Sequence, residues 1–201
     1  MSAHLFPDGS SFPSPGLGTW KIPEDLTPKI VHEAIEIGYR HLDCACDYGN
    51  ESLVGQGIKS ALDAGLCSRD DLWVTSKLWN TYHEPQHVRA ACEKSLADLG
   101  LDYLDLYLVH FPIALEFVPF DEMYPPGWTA GKDAMSPIKV PYSDTWKAME
   151  ELVDAELVKR IGVCNLTTSS LRDVLSYARI KPAVQQIELH PYLTQNAMVR
   201  Y

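Results

Sequence analysis

Short apolar runs rich in β-forming residues alternate with segments of helical spacing along almost the whole chain, and this alternation narrows the possible folds more than any other feature. The runs lie at 15–19, 41–45, 72–78, 104–110, 159–165 and 183–189. After the first run, Thr27 is placed to cap a helix, Pro28 suits its first position, and Ile30, Ala34 and Ile37 share a face before Gly38 ends it. A second helix is expected from about Asn50 to Gly65, with Val54, Ile58 and Ala61/Leu62 on one side. A third carries Val88, Ala91, Cys92, Leu96 and Leu99, and a fourth carries Trp146, Met149 and Val153 behind a Ser143 cap. A fifth is lined by Leu171, Val174, Leu175 and Ala178. Strand, helix, strand in repetition implies a parallel sheet with right-handed crossovers.

Two α/β architectures meet that description, an open doubly wound sheet and a closed barrel. The open sheet would gain from a Gly-x-Gly-x-x-Gly turn, but Gly16-Leu17-Gly18 is followed by Thr19 and Trp20 with no third glycine. Asp43, Lys77, His110 and Asn165 instead close four successive strands, and in a barrel those positions ring one mouth. The expected fold is therefore a (β/α)8 TIM-barrel type. It is incomplete, since a full barrel typically needs about 250 residues and about six of the eight βα units are countable in 201. Leu5-Phe6 and Phe12 flank Pro7-Asp8-Gly9-Ser10, which reads as an N-terminal β-hairpin plugging the barrel floor. Residues 1–201 read as a single domain, C-terminally truncated, whose first and last strands keep unpaired edges open to self-association. Within it, residues 111–142 form a long connection holding six of the fourteen prolines and Phe111, Phe117, Phe120, Tyr124, Trp128 and Tyr142. A stiff aromatic loop of that length beside a mouth reads as a substrate wall.

Charge excludes some partners. Seventeen basic against 27 acidic residues give a net charge of −10, so neither nucleic acid nor an anionic membrane is expected to bind. No run of 18 apolar residues spans a bilayer, and Met1 to Ser10 lacks the features of a signal peptide. Five scattered cysteines read as reduced thiols, and a cytoplasmic protein is expected. No metal site is expected: Cys44 and Cys46 are too close, and His83 and His87 read as parts of a solvated loop. Glu150, Glu151 and Glu156 read as a solvated helix face.

The chemistry lies in Asp43, Tyr48, Lys77 and His110. A lysine buried at a strand end needs a counter-charge, which Asp43 supplies from the neighbouring strand. The ammonium is expected to favour tyrosinate and pull the pKa of Tyr48 down from about 10. A tyrosine so tuned can give its proton to a developing alkoxide while His110 orients the carbonyl. No side chain supplies a hydride, so carbonyl reduction at this site implies a nicotinamide cofactor.

Gly38-Tyr39-Arg40-His41-Leu42-Asp43, with Tyr48, Asn50-Glu51 and Gly55, resembles the first signature of the aldo-keto reductases. Ile161-Gly162-Val163-Cys164-Asn165 is similar to their strand-five signature, and 16–20 and 186–192 are similar to further family segments. Around 111–128 the likeness is to the xylose and aldose reductase branch. The resemblance implies an NAD(P)H-dependent enzyme that reduces aldehydes or ketones, such as aldoses, to alcohols with NADPH, NADH being left open. It makes Tyr48 the general acid, Lys77 and Asp43 its tuning pair, and His110 the carbonyl-orienting donor. Gly18, Thr19, Trp20, Asp43, Cys164, Asn165 and Gln186 would bind the cofactor, and Trp20, Trp79, His110, Phe111 and Trp128 would wall the pocket of a small-molecule carbonyl. Cys164 stands where many relatives have serine, Leu166 replaces an aromatic and is expected to loosen packing, and Phe111 replaces an indole. The family's strand-seven aromatic and the basic residues after strand eight do not fall within these residues. The alternative is a catalytically inactive truncated barrel acting only as an interaction module.

Overall fold

The computed structural model describes residues 2–6 and 8–201; Met1, in the segment read for a leader, and Pro7, in the hairpin turn, lie outside the described residues. An antiparallel hairpin, β1 (Ser2–Leu5) with β2 (Ser11–Ser14), precedes the repeat. The strands that follow are β3 (Leu17–Gly18), β4 (His41–Asp43), β5 (Trp73–Leu78), β6 (Leu106–Val109), β7 (Ile161–Cys164) and β8 (Gln185–Gln186). All pair in parallel, each beside the next in sequence. Helices α1 (Thr27–Glu36), α2 (Glu51–Asp63), α3 (Pro85–Leu99), α4 (Tyr142–Asp154) and α5 (Thr168–Tyr177) follow β3, β4, β5, β6 and β7, and α6 (Asn196–Arg200) follows β8.

Strand order that never reverses has no switch point, which removes the doubly wound alternative. Curvature is visible in one contact. β4 and β8 stand four positions apart, a separation of roughly 19 Å across a flat sheet, yet Gln186 Nε2 lies 3.2 Å from Asp43 Oδ1. The sheet therefore curls into the wall of a barrel, here with six of its strands.

Strand parity divides the core in two. Trp73, Leu106, Leu108 and Cys164 face the barrel interior, whereas Leu42, Val74, Leu78, Tyr107, Val109 and Val163 pack outward against the helices. The hairpin closes the interior at the strands' N-terminal ends. Phe6 stacks on Trp73 at 5.7 Å, and Phe12 meets Trp73 at 5.6 Å and His41 at 5.4 Å. Arg160 clamps the turn by donating to Asp8 at 2.7 Å and Ser10 at 2.5 Å.

Several local expectations fail for identifiable reasons. In α1 the buried stripe is Thr27, Val31, Ala34 and Ile35, and Ile37 is 76% exposed. β-Branched Val31 and Ile35 both fit the α2 surface, so the face is rotated by one position from the Ile30–Ile37 line. Thr27 lies inside the helix and its hydroxyl donates back to Pro23 O at 2.9 Å, a loop lock instead of an N-cap. Ser143 likewise falls inside α4, which Pro141 precedes. Glu150 is only 6% exposed and its Oε1 accepts from the backbone N–H groups of Arg179 and Ile180, fastening the β7–β8 crossover to α4. His83 is buried, because Pro85 starts α3 and draws the residues before it beneath the α4 N-terminus, where Thr145 donates to His83 O at 2.7 Å. Leu166 is buried in the core, so packing there is not loosened. Among the described residues, no helix is long and apolar enough to cross a membrane.

Helices α2 and α3 approach closely over Gly55, where a Cβ would lie 2.6 Å from Leu99 O and 2.8 Å from Asp98 O. Intrinsic propensity favours alanine over glycine in a helix by about 1 kcal/mol. The clash outweighs it, and Gly55→Ala is expected to destabilise the protein by about 1–3 kcal/mol in urea denaturation. A stabilised variant would contradict this packing.

Candidate active site

The side chains that converge do so because parallel strands end together on one rim. Thr19 follows β3, Asp43 ends β4, Lys77 is the penultimate residue of β5, His110 follows β6, Asn165 follows β7 and Gln186 ends β8. Register aligns them: Gly18 pairs with Asp43, Lys77 with Leu108, and Cys164 with Gln186. Tyr48 closes a single 3-10 turn, Cys46–Tyr48, which Gly49 ends at φ 71°. That turn brings the phenol back over the rim.

Lys77 is fully buried, and its ammonium makes three hydrogen bonds, to Asp43 Oδ1 at 2.9 Å, Cys44 O at 2.8 Å and Tyr48 Oη at 2.9 Å. An ammonium has three donors and no acceptor, so this set is complete. Burial disfavours its charge, but the Asp43 carboxylate and the Tyr48 oxygen outweigh that effect and hold the lysine above its ordinary pKa. The expected fall in the Tyr48 pKa is not found. Burial dominates, the nearby ammonium only partly opposes it, and the phenol is raised above its usual value. Tyr48 thus keeps its proton, and since its oxygen accepts from Lys77, that proton points away from the lysine.

His110 packs edge-on against Tyr48 with ring centroids 5.9 Å apart and against Trp79 at 5.2 Å. Burial, reinforced by the Lys77 charge, lowers its pKa to about 3, and the imidazole is neutral. Phe111 stacks on it at 4.8 Å, and Trp128 meets both Phe111 at 4.9 Å and Trp79 at 5.0 Å. Trp20 lies 6.3 Å from Tyr48 with 62% of its surface exposed. All five expected wall residues therefore border the same mouth.

The rim opposite the wall carries amides. Gln186 donates to Asp43, and Cys164 Sγ lies 3.7 Å from Gln186 Oε1. Asn165, at φ 59°, donates to His110 O at 2.9 Å. Thr19 is buried and donates through both N–H and hydroxyl to Asp43 O, while Asn50 donates to Thr19 O at 2.8 Å. Two carboxamides, a thiol whose pKa burial pushes up to about 12, and an exposed indole face suit the flat ring and carboxamide of a nicotinamide. The residues present fit that end of the cofactor.

Two carboxyl groups were given no role in the sequence reading. Asp47, beside Tyr48, is raised to about 7 by burial. Glu51 is buried behind the rim, its Oε1 accepting from Ser76 at 2.5 Å and its Oε2 from Ser95 at 2.8 Å, and burial raises it to about 7 against those hydrogen bonds. Glu51 had a visible signal, since it falls on the apolar stripe that includes Val54 and Ile58. Among the described residues, no group of three or more His, Cys, Asp or Glu side chains is placed to hold a metal ion.

Residues 14–201 match the model of the Aldo/keto reductase family. The chain is 51% identical over 199 residues to an NADPH-dependent aldose reductase of Saccharomyces cerevisiae and 52% identical over 195 residues to an NAD(P)H-dependent D-xylose reductase of Pachysolen tannophilus. Each match covers 96% of this chain and 61% of the relative, so the chain spans about three fifths of their length. Its backbone is similar to the aldose reductase from Schistosoma japonicum, with a TM-score of 0.87 at 42% identity, covering 100% of this chain and 66% of that one. A Bombyx mori aldo-keto reductase solved in complex with NADP is similar at TM-score 0.87 and 38% identity, covering 99% and 62%.

Glu51 provides a pH test. Its folded pKa, about 7, lies above the ordinary 4.5, so the stability it contributes is complete below pH 4.5 and lost as pH rises to 7. The stability of the wild type relative to Glu51→Gln is expected to fall over that interval, on the order of 3 kcal/mol, and level off above it. Urea titrations at stepped pH would read this, and parallel curves for the two proteins would refute it.

Proposed function

The chain belongs to the aldo/keto reductase family, and from that premise we propose that the protein reduces aldehydes or ketones, aldoses and related carbonyls among them, to alcohols with NADPH. Supporting this are the relatives named for aldose and D-xylose reduction. The observation that carries it is the 2.9 Å contact of Tyr48 Oη with an ammonium that is itself 2.9 Å from Asp43. Residues 1–201 belong to one reductase domain, of which they form part, with 111–142 supplying part of the substrate wall. Gly18, Thr19, Trp20, Asp43, Cys164, Asn165 and Gln186 hold the nicotinamide end of the dinucleotide. When bound, that cofactor supplies a hydride to the carbonyl carbon.

The side chains do the rest. Trp20, Trp79, Phe111 and Trp128 surround the carbonyl with apolar surface and exclude water, which strengthens each polar contact at the mouth. His110, neutral across the working pH range, donates a hydrogen bond to the carbonyl oxygen and fixes its direction. Tyr48 gives its proton to that oxygen as charge develops. The phenolate left behind sits against the Lys77 ammonium, already in place, and Asp43 keeps that ammonium charged and oriented. Raised acidity of the free tyrosine is not required, because stabilisation acts on the anion as it forms.

An inactive interaction module would have no need of a buried lysine whose three donors are all satisfied at one mouth, and the reductase is favoured for that reason. A reducing compartment such as the cytoplasm suits five cysteines that are all free.

Tyr48→Phe removes the proton and leaves the ring. It is expected to lower kcat for aldehyde reduction by about 10²–10⁴-fold while NADPH affinity, followed by quenching of Trp20 fluorescence, stays within a few fold. Undiminished turnover would exclude Tyr48 as the acid.

A further inference from the structure

The aromatic side chains of segment 111–142 divide into two sets. Phe111 and Trp128 turn to the mouth. Phe117, Phe120 and Tyr124 turn away from it: Phe117 stacks on His87 at 3.6 Å, Phe120 meets Tyr82 at 5.0 Å, and Phe120 and Tyr124 meet at 5.5 Å. Regular structure in the segment is slight, a short antiparallel pairing in which Glu116 N–H donates to Ser136 O and Ile138 N–H to Ala114 O. Something else must fix Trp128, whose indole is 38% exposed at the mouth.

Tyr124 has the contacts to do so. Its hydroxyl is buried and faces the Cys46 thiol and the Ser95 hydroxyl, and the Lys94 ammonium lies 4.3 Å from its ring centre. Cys46 belongs to the turn that carries Tyr48, and its thiol lies 3.6 Å from Lys77 O. The next residue, Pro125, lies against Gly49 at the end of that same turn. Only Pro125, Pro126 and Gly127 separate Tyr124 from Trp128. Two prolines fix φ and leave such a link little freedom. Gly127, at φ 60°, turns its carbonyl to accept from Trp79 Nε1 at 3.0 Å. The indole is thus held from both sides of a stiff three-residue link, by Tyr124 behind the rim and by Trp79 at it.

We propose that Tyr124 is a positioning residue for substrate: its ring, seated beside Cys46 and Ser95 and under Lys94, registers Trp128 against the turn bearing Tyr48 and so sets how tightly the carbonyl substrate is held. This rests on the mouth being the reductase site proposed above. The ring does the work, because the ring meets Phe120 on one side and the Lys94 ammonium on the other.

The test compares Tyr124→Ala with Tyr124→Phe in the protein, using glyceraldehyde as substrate and acrylamide quenching of Trp128, isolated by subtracting the signal of Trp128→Phe. Tyr124→Ala is expected to raise KM at least fivefold with kcat within twofold, and to raise the Trp128 quenching constant about twofold. Tyr124→Phe is expected to restore both to wild-type values. Should Tyr124→Ala fail to fold, Tyr124→Leu fills the space without the ring and is expected to behave as the alanine variant should. Wild-type KM and quenching in a folded Ala or Leu variant would overturn the proposal, as would kcat loss at unchanged KM. A wild-type protein inactive on every aldehyde tried would instead overturn the reductase assignment, and the quenching comparison would still decide whether Tyr124 holds Trp128.

Discussion

A fully buried ammonium with three acceptors at 2.8–2.9 Å is the constraint around which the mouth is organised. Taking a lysine out of water costs several kcal/mol unless its charge is paired and its donors satisfied. Meeting that demand recruits a carboxylate from the adjacent strand, a backbone carbonyl just past that strand's end, and a phenol from the turn beyond. Each acceptor is thereby fixed in place by the lysine it serves. Because the ammonium can only donate, the phenolic proton is kept off the lysine and left for another acceptor.

The same pairing ties chemistry to fold. Asp43 also accepts from Gln186, four strands away around the curl, and its backbone carbonyl accepts from Thr19 on the strand before it. One residue therefore links three regions of the rim, so the curl of the sheet also assembles the Asp43–Lys77–Tyr48 group. Behind the rim, Glu51, Ser76 and Ser95 couple β5 to α2 and α3 through a buried carboxyl that burial holds half-protonated near neutrality. The mouth and the layer supporting it share the single strand β5, Lys77 on one face and Ser76 on the other.

Long loops usually carry function because they are free to vary, yet segment 111–142 is positioned chiefly by partly buried aromatic side chains turned away from the mouth. Phe117 and Phe120 pack on Tyr82 and the start of α3, and Tyr124 packs on Phe120 and under Lys94 further along that helix, so the elements after β5 decide where the segment stands. Trp79, fully buried, serves both sides: its ring edges meet His110 and Trp128, and its N–H holds Gly127.

The sequence by itself determined the order of strands and helices, the barrel over the open sheet, and the identity of the rim residues, because strand period and strand-end polarity are written in local residue order. Asp43, Lys77, His110 and Asn165 were legible for that reason, as was the hairpin under the floor, while Gln186 was legible only through the family resemblance. Tertiary structure alone decided which face of α1 is buried, that Glu150 and His83 lie inside, and that the aromatic loop splits into wall and anchor. It also reversed the expected acidity of Tyr48, since sequence shows a neighbouring charge but not the depth of burial that opposes it. Those outcomes depend on what packs against each group from distant parts of the chain, and a desolvation cost exists only once those parts have met.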